Sequence, residues 1–183
     1  MKERSIGMAE LSSVAAGYLA ADTMLKAGNV RLLLSRTICS GKYMILVGGE
    51  TAAVQAAVEA GVEAAGGCLI ERLVIANVHR EVIDAFARNV VPEPEGALGV
   101  LESFSVAALI RAADAAAKAA AVRLLELRLA MALGGKAFFT MTGDVGSVQS
   151  ALAAGKEVLA EAGVLVNAAL IPRPHPDVYR ELV

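Results

Sequence analysis

Cys39 is the residue of this chain best placed to do chemistry. It lies between two apolar runs, 30–38 and 43–49, so we expect it in an exposed loop between two strands. One thiol per chain cannot make a metal site. Three thiolates would converge if the chain formed a cyclic trimer with this loop on its axis, and soft thiolates suit an iron–sulfur cluster or zinc. A cluster normally takes four ligands, so one iron would need a non-cysteine or external ligand.

The remaining candidates favour structural roles. Cys68 enters an apolar run and is expected to behave as a small buried hydrophobe. His79 and His175 follow the last strand of each half of the chain; without other ligands nearby, capping or interface packing is favoured over a metal site. Gly48-Gly49 precedes a helical pattern, where a tight turn is favoured over anion binding. The sequence has no P-loop, GxGxxG, HExxH or CxxC motif.

The elements that position these residues occur twice, because the sequence contains an internal repeat. Residues 5–36 align with 97–128 at an offset of 92. Beyond Arg36 the offset is 94, so the second copy has two additional residues before its Gly-Lys pair, and near the histidines it is 96. The matched residues include Gly7 with Gly99, Glu10 with Glu102, Asp22 with Asp114, Lys26 with Lys118, Gly41-Lys42 with Gly135-Lys136, and His79 with His175.

Hydrophobic periodicity predicts the order β-α-β-β-α-β in each copy, an α+β fold with helices on one face of a sheet. The Pro-rich, acidic link 90–96 separates the copies, which predicts domains at 1–91 and 96–183. The first copy is expected to have strands at 5–11, 30–38, 43–49 and 69–76 and helices at 13–27 and 51–65. The second is expected to have strands at 97–103, 122–130, 136–142 and 164–171 and helices at 105–119 and 146–162.

Composition excludes several classes of function. The 183 residues carry a formal net charge of -2, which argues against a nucleic-acid-binding surface. No uninterrupted apolar stretch reaches the roughly 18 residues of a membrane span, and no secretory signal is expected at the start. Two cysteines are too few for a secreted disulfide framework. We therefore expect a cytoplasmic protein that binds neither membrane nor nucleic acid.

These residues carry a resemblance to a known family. Each copy is similar to a bacterial microcompartment (BMC) shell domain, and the tandem resembles the two-domain, trimer-forming shell proteins. Among these two-domain shell proteins, the chain is similar to the iron–sulfur-binding ones of propanediol-utilisation microcompartments. Their pore loop has Pro where this chain has Ser40. The matching segments are 7–10, 20–22 with Lys26, 37–42, 76–79, 130–136, 142–145, 148–155 and 171–175.

The resemblance implies two tandem ferredoxin-like BMC domains in a homotrimer that mimics a hexagon and tiles a shell with other shell proteins. It implies one [4Fe–4S] cluster per trimer, held by Cys39 on the threefold axis for electron transfer across the shell, and redox enzymes inside as partners. Ser40 in place of Pro is expected to loosen the loop but to leave the ligand in place. The resemblance also implies tile-edge lysines at Lys26 and Lys118, and a pore lined by Ile38, Ser40, Gly41, Met131, Ala132, Leu133 and Gly134.

Two other interpretations stay open. In one, the chain forms a metabolite pore with no cluster, and Cys39 is a bystander. In the other, the chain is a small ferredoxin-like-fold enzyme with Cys39 as nucleophile. That chemistry needs a base such as His near the thiol, but the loop supplies only Lys42. We therefore favour a structural protein over an enzyme.

Overall fold

A computed structural model describes residues 4–87 and 95–180 and divides the chain into two compact units, Met1–Val78 and His79–Val183. In the first unit the elements are β1 (Ser5–Leu11), α1 (Val14–Ala27), β2 (Arg31–Ile38), β3 (Lys42–Gly49), α2 (Thr51–Ala65) and β4 (Leu69–Ala76). In the second they are α3 (Arg80–Ala87), β5 (Ala97–Ser103), α4 (Val106–Ala119), β6 (Arg123–Leu129), β7 (Ala137–Gly143), α5 (Val145–Glu161), β8 (Leu165–Ile171) and α6 (Pro176–Arg180). The predicted β-α-β-β-α-β order is confirmed in both copies.

Both units contain the same four-stranded antiparallel sheet. Its strand order is β2-β3-β1-β4 in the first unit and β6-β7-β5-β8 in the second. The central strands pair along their whole length, with Ser5 opposite Gly49 and Ala97 opposite Gly143. The hairpins β2–β3 and β6–β7 therefore end in turns at equivalent positions, and these turns contain the candidate site residues.

Both helices of the first unit pack on one face of its sheet, in a core made largely of small side chains. Ala20 and Met24 of α1 and Ala57 of α2 share this core with Ile45 and Val47 of β3. Small residues let the backbones approach closely, and interiors packed at this density tolerate little added volume. The sheet and helix contacts thus depend on the sizes of particular residue pairs.

One such pair joins α1 to β3. A Cβ atom at Gly17 would lie 2.4 Å from the ring of Tyr43, whose hydroxyl is 2.9 Å from that of Ser35. At the equivalent places of the second unit stand Leu109 and Ala137, both fully buried. The repeat has exchanged the large and the small residue between helix and strand.

Three of the four long helices begin with a side-chain cap. The hydroxyls of Ser13 and Ser105 accept hydrogen bonds from the amides of Ala16 and Ala108, at 3.3 and 3.0 Å. The carboxylate of Asp144 caps α5 by accepting from the amide and hydroxyl of Ser147. Among the described residues, Glu50 at the start of α2 makes no side-chain capping bond.

The sequence did not predict the short helices α3 and α6, nor the single 3-10 turns Cys39–Gly41 and Gly66–Cys68. Helix α3 follows the first copy in sequence but belongs to the second compact unit, where it packs against β6 and α4. Residues 88–94, which include most of the Pro-rich link 90–96, lie outside the described residues, so the boundaries 1–91 and 96–183 remain predictions. Within the described ranges, every helix is too short or too polar to cross a lipid bilayer.

Candidate functional site

Cys39 lies at the tip of the β2–β3 hairpin. Strand β2 ends at Ile38, the turn Cys39–Gly41 follows, and β3 begins at Lys42. Ile38 is buried, Cys39 is half-buried, and Ser40 and Gly41 are exposed. The predicted loop between two strands is confirmed, and Cys39 within it is partly exposed to solvent.

The backbone of this turn is left-handed at two successive residues. Ser40 has a φ of 63° and Gly41 a φ of 71°. Glycine adopts such angles without penalty, whereas a residue with a side chain does so at a cost. Proline cannot adopt them, because its ring fixes φ near -65°. A proline at position 40 would therefore require a turn with a different backbone conformation. Serine and proline at this position thus differ in the conformation they allow, and not only in flexibility.

A buried carboxylate holds the lysine that follows the turn. The ammonium group of Lys42 donates to Oε1 of Glu10 at 2.9 Å, and the Glu10 side chain is 5% exposed. The second unit has the equivalent pair, Lys136 with Glu102 at 3.4 Å. Because Lys42 is bound to Glu10, it is poorly placed to accept a proton from the Cys39 thiol, as the enzyme hypothesis would require.

The equivalent turn of the second unit is longer and contains no thiol. It joins Leu129 to Ala137, and the amide of Lys136 donates to the carbonyl of Leu133 at 3.1 Å. Leu133 is half-buried, and Met131, Ala132 and Gly134 are exposed. Positive φ angles occur at Ala130 (51°), Ala132 (57°), Gly134 (61°) and Gly135 (88°). Both turns thus finish with two left-handed residues before the paired lysine.

The two predicted edge lysines make the same local ion pair. Lys26 donates to Asp22 and Lys118 to Asp114, both at 2.6 Å and one helical turn apart. Their surroundings differ: the side chain of Lys26 is 74% exposed and that of Lys118 43%. Their placement at a tile edge remains a prediction.

The histidines are capping residues. Nδ1 of His79 accepts from the amide of Glu81, and Nδ1 of His175 accepts from the amide of Asp177, both at 3.3 Å. Within residues 4–87 and 95–180, three or more His, Cys, Asp or Glu side chains nowhere come together as a metal-binding group. Cys68 lies in a 3-10 turn rather than in a strand, half-buried against the core.

Comparison with known proteins identifies both repeats. The BMC domain family matches residues 5–78 and 97–174. The bacterial microcompartment shell protein PduT of Citrobacter freundii is 42% identical over 180 residues, which cover 98% of each chain. The major carboxysome shell protein CsoS1A of Halothiobacillus neapolitanus is 39% identical over 92 residues, covering 49% of this chain and 89% of the relative.

Solved structures agree with this assignment. A microcompartment protein from Desulfitobacterium hafniense DCB superposes with a TM-score of 0.92 at 45% identity, covering 96% of this chain and 98% of that one. The fused permuted hexameric shell protein MSM0275 of the RMM microcompartment shares the fold, with a TM-score of 0.63 at 23% identity over 86% and 84% of the two chains. With two BMC domains in one polypeptide, the chain belongs to the tandem-domain family of bacterial microcompartment shell proteins.

Proposed function

We propose that three copies of this chain form a pseudohexameric shell tile with one [4Fe–4S] cluster at its centre, held by Cys39 of each chain. The cluster would transfer electrons across the shell, to or from redox enzymes inside, and the chain itself would catalyse no reaction. In this assembly Lys26 and Lys118 lie at edges shared with other shell proteins. The central pore is lined by Ile38, Ser40, Gly41, Met131, Ala132, Leu133 and Gly134.

The assembly is supported by the tandem BMC architecture. Closed cyclic symmetry is the commonest solution for a soluble homo-oligomer. Because each chain contains two diverged modules, a ring of three chains contains six modules. The two kinds of module can differ at their turns. Only one of the two turns carries a cysteine, so a threefold ring would contain three thiols around its axis.

The observation that carries the cluster proposal is the position of Cys39. It is half-buried at the tip of a hairpin, next to two exposed residues, in a turn whose repeat equivalent has no thiol. A thiolate is the ligand type that iron–sulfur clusters take. When bound, such a cluster supplies one-electron redox chemistry, while the protein supplies ligands and controls solvent access.

A pore for small metabolites, with no cluster, is the second candidate. Of the exposed residues of the two turns, Ser40, Gly41, Ala132 and Gly134 are small, and Met131 has a long, flexible side chain. Small side chains of this kind would leave an opening at the centre of a ring.

Iron content and visible absorption of anaerobically purified protein test the cluster. We expect a broad absorption band in the blue–violet and about one cluster per three chains. Cys39→Ser should lose both the band and the iron while keeping its oligomeric state. Cys68→Ser is the matched control and should keep both, because Cys68 packs against the core of the first unit. A wild-type protein that stays assembled but colourless and iron-free after reconstitution would favour the metabolite pore.

A further inference from the structure

One ion pair closes the turn that contains Cys39. Lys42 directly follows the turn Cys39–Gly41, and its backbone pairs with that of Ile38, the residue directly before the turn. Cys39 and Lys42 are therefore the first and fourth residues of one tight turn, which keeps their Cα atoms within about 7 Å of one another. Nζ of Lys42 donates to Oε1 of Glu10 at 2.9 Å. The charges of this pair thus lie close to Cys39.

The carboxylate of the pair is fixed by the centre of the sheet. Glu10 lies on the central strand β1, opposite Met44 of β3 on one side and Glu71 of β4 on the other. Its side chain is 5% exposed, and that of Lys42 is 36% exposed. Salt screens buried charges much less than exposed ones. The pair therefore acts on neighbouring groups more strongly than a solvated pair would.

The equivalent pair of the second unit is longer and more exposed. Nζ of Lys136 lies 3.4 Å from Oε2 of Glu102, and the Glu102 side chain is 32% exposed. That pair follows the turn without a cysteine. The shorter and more deeply buried pair is thus the one beside Cys39, which favours a role there in addition to closing the hairpin.

The two charges of the pair have opposite effects on a redox centre held by Cys39. Reduction adds one electron, and therefore one negative charge, to the centre; in the proposed function a redox enzyme inside the shell donates that electron. A nearby positive charge stabilises the reduced state and raises the reduction potential, and a nearby negative charge lowers it. Net charge and solvent exposure are among the properties that set the potential of an iron–sulfur cluster.

We propose that Lys42 and Glu10 position Cys39 and set the reduction potential of the cluster, by placing one pair of opposite charges beside each Cys39. This role rests on the cluster proposed above. Both are positioning residues: they act through the turn and through their charges, and neither binds iron. Arg36 lies on the same face of the sheet, opposite Met44, and its charge is constant in all the variants described below.

Potentiometric titration of the reconstituted full-length protein tests this role. Dithionite is the reductant, and the visible absorption of the cluster measures the fraction reduced. Glu10→Gln should raise the potential, because the charge of Lys42 is then no longer neutralised. Lys42→Met should lower the potential, because the carboxylate of Glu10 is left without its cation. We expect each shift to be about tenfold in the equilibrium constant of reduction, which is about 59 mV for a one-electron couple.

A double variant distinguishes an effect of charge from damage to the turn. Glu10→Gln with Lys42→Met removes both charges, so its potential should return to near the wild-type value. Two independent structural defects would instead add. Lys42→Arg keeps the positive charge and should keep the wild-type potential. Iron content and circular dichroism establish that the variants are loaded and folded.

Asp22→Asn is the matched control, because it breaks an Asp–Lys pair of the same unit and removes the same charge. Asp22 and Lys26 lie on α1, at the start of β2, whereas Cys39 follows the end of β2. The strand has eight residues, each rising about 3.3 Å, so this pair lies roughly 15–20 Å from Cys39. That exceeds the Debye length of about 10 Å at 0.1 M salt. The potential should be unchanged.

The outcomes separate this role from the cluster itself. Loaded variants that all keep the wild-type potential, or two single variants that shift it in the same direction, would overturn the role of the pair and leave the cluster intact. A shift in Asp22→Asn as large as that in Glu10→Gln would also overturn it, since any surface charge would then suffice. A wild-type protein that takes up no iron on reconstitution would overturn the cluster and this role together.

Discussion

The two units of this chain have one topology, and three equivalent places illustrate how they differ. At the helix–strand contact, Gly17 and Tyr43 of the first unit correspond to Leu109 and Ala137 of the second. At the hairpin tip, a three-residue turn with a thiol corresponds to a longer turn without one. At the start of the second long helix, Glu50 corresponds to the capping residue Asp144. Divergence has changed volumes, turns and caps while both sheets kept their order.

Two ion pairs have been retained in both copies. The Lys–Glu pair beside each hairpin and the Asp–Lys pair on each first helix occur in both units. The hairpin tips are free to vary because they lie beyond the last paired residues of the strands. A duplicated domain can therefore acquire a reactive residue in one copy without disturbing the scaffold of the other.

The largest effect on stability is expected at the contact between Gly17 and Tyr43, where the second unit has the large residue on the helix and the small one on the strand. Gly17→Leu should destabilise the first unit by about 3 kcal/mol, because the added side chain meets the Tyr43 ring. Tyr43→Ala should cost about 3–5 kcal/mol through the cavity it leaves. The double variant, which copies the second unit's pair, should cost less than the sum by at least about 1 kcal/mol. Urea unfolding followed by circular dichroism measures all three.

An additive result in that cycle would show that positions 17 and 43 do not compensate for one another. The second unit's residues would then fit only their own surroundings, and the exchange would reflect independent changes.

Substitutions at the hairpin tips are expected to change the free energy of unfolding by an intermediate amount. Ser40 and its equivalent Gly134 have nearly the same φ, 63° and 61°. Ser40→Gly should raise the free energy of unfolding, and Gly134→Ser should lower it, each by about 1 kcal/mol, because only glycine adopts this angle without steric cost. Ser40→Pro should be destabilising, since proline cannot adopt it. A stabilising Ser40→Pro substitution would contradict the turn geometry described here.

The helix caps are expected to give the smallest effect, and one that depends on pH. The hydrogen bonds from Ser147, its hydroxyl first, lower the pKa of Asp144 below its ordinary value of 3.8. The stabilisation contributed by the ionised Asp144 cap is therefore fully present above the ordinary pKa of 3.8. It is lost as the pH falls through the lower pKa of the folded state. The stability difference between wild type and Asp144→Ala should shrink in that acidic range. Glu50→Ala should show a smaller difference at neutral pH, as judged by thermal unfolding.

Much of the fold could be predicted because the repeat gives two independent patterns for one structure. All eight strands and four long helices lie within about two residues of their predicted bounds. Helix α3 was missed because its position depends on distant contacts, such as that of His79 with Asp114, 35 residues away. Local periodicity contains no information about such contacts.

The candidate site was predicted less completely. The sequence located the Cys39 hairpin from the apolar runs on either side, but not the left-handed backbone of Ser40, because serine is not a residue that signals such a turn. The opposite placement of the large and the small residue in the two units, at Gly17–Tyr43 and Leu109–Ala137, could have been found by aligning the copies and comparing residue volumes. The capping roles of the histidines agree with the prediction, and both rest on short-range hydrogen bonds.

The packing of α3 has a consequence for how the protein responds to dilution. Helix α3 and the surface it covers belong to one polypeptide, so their association is intramolecular and independent of protein concentration. Dilution therefore cannot detach α3 or uncover the surface of α4 and β6, and mass action can act only on contacts between separate chains.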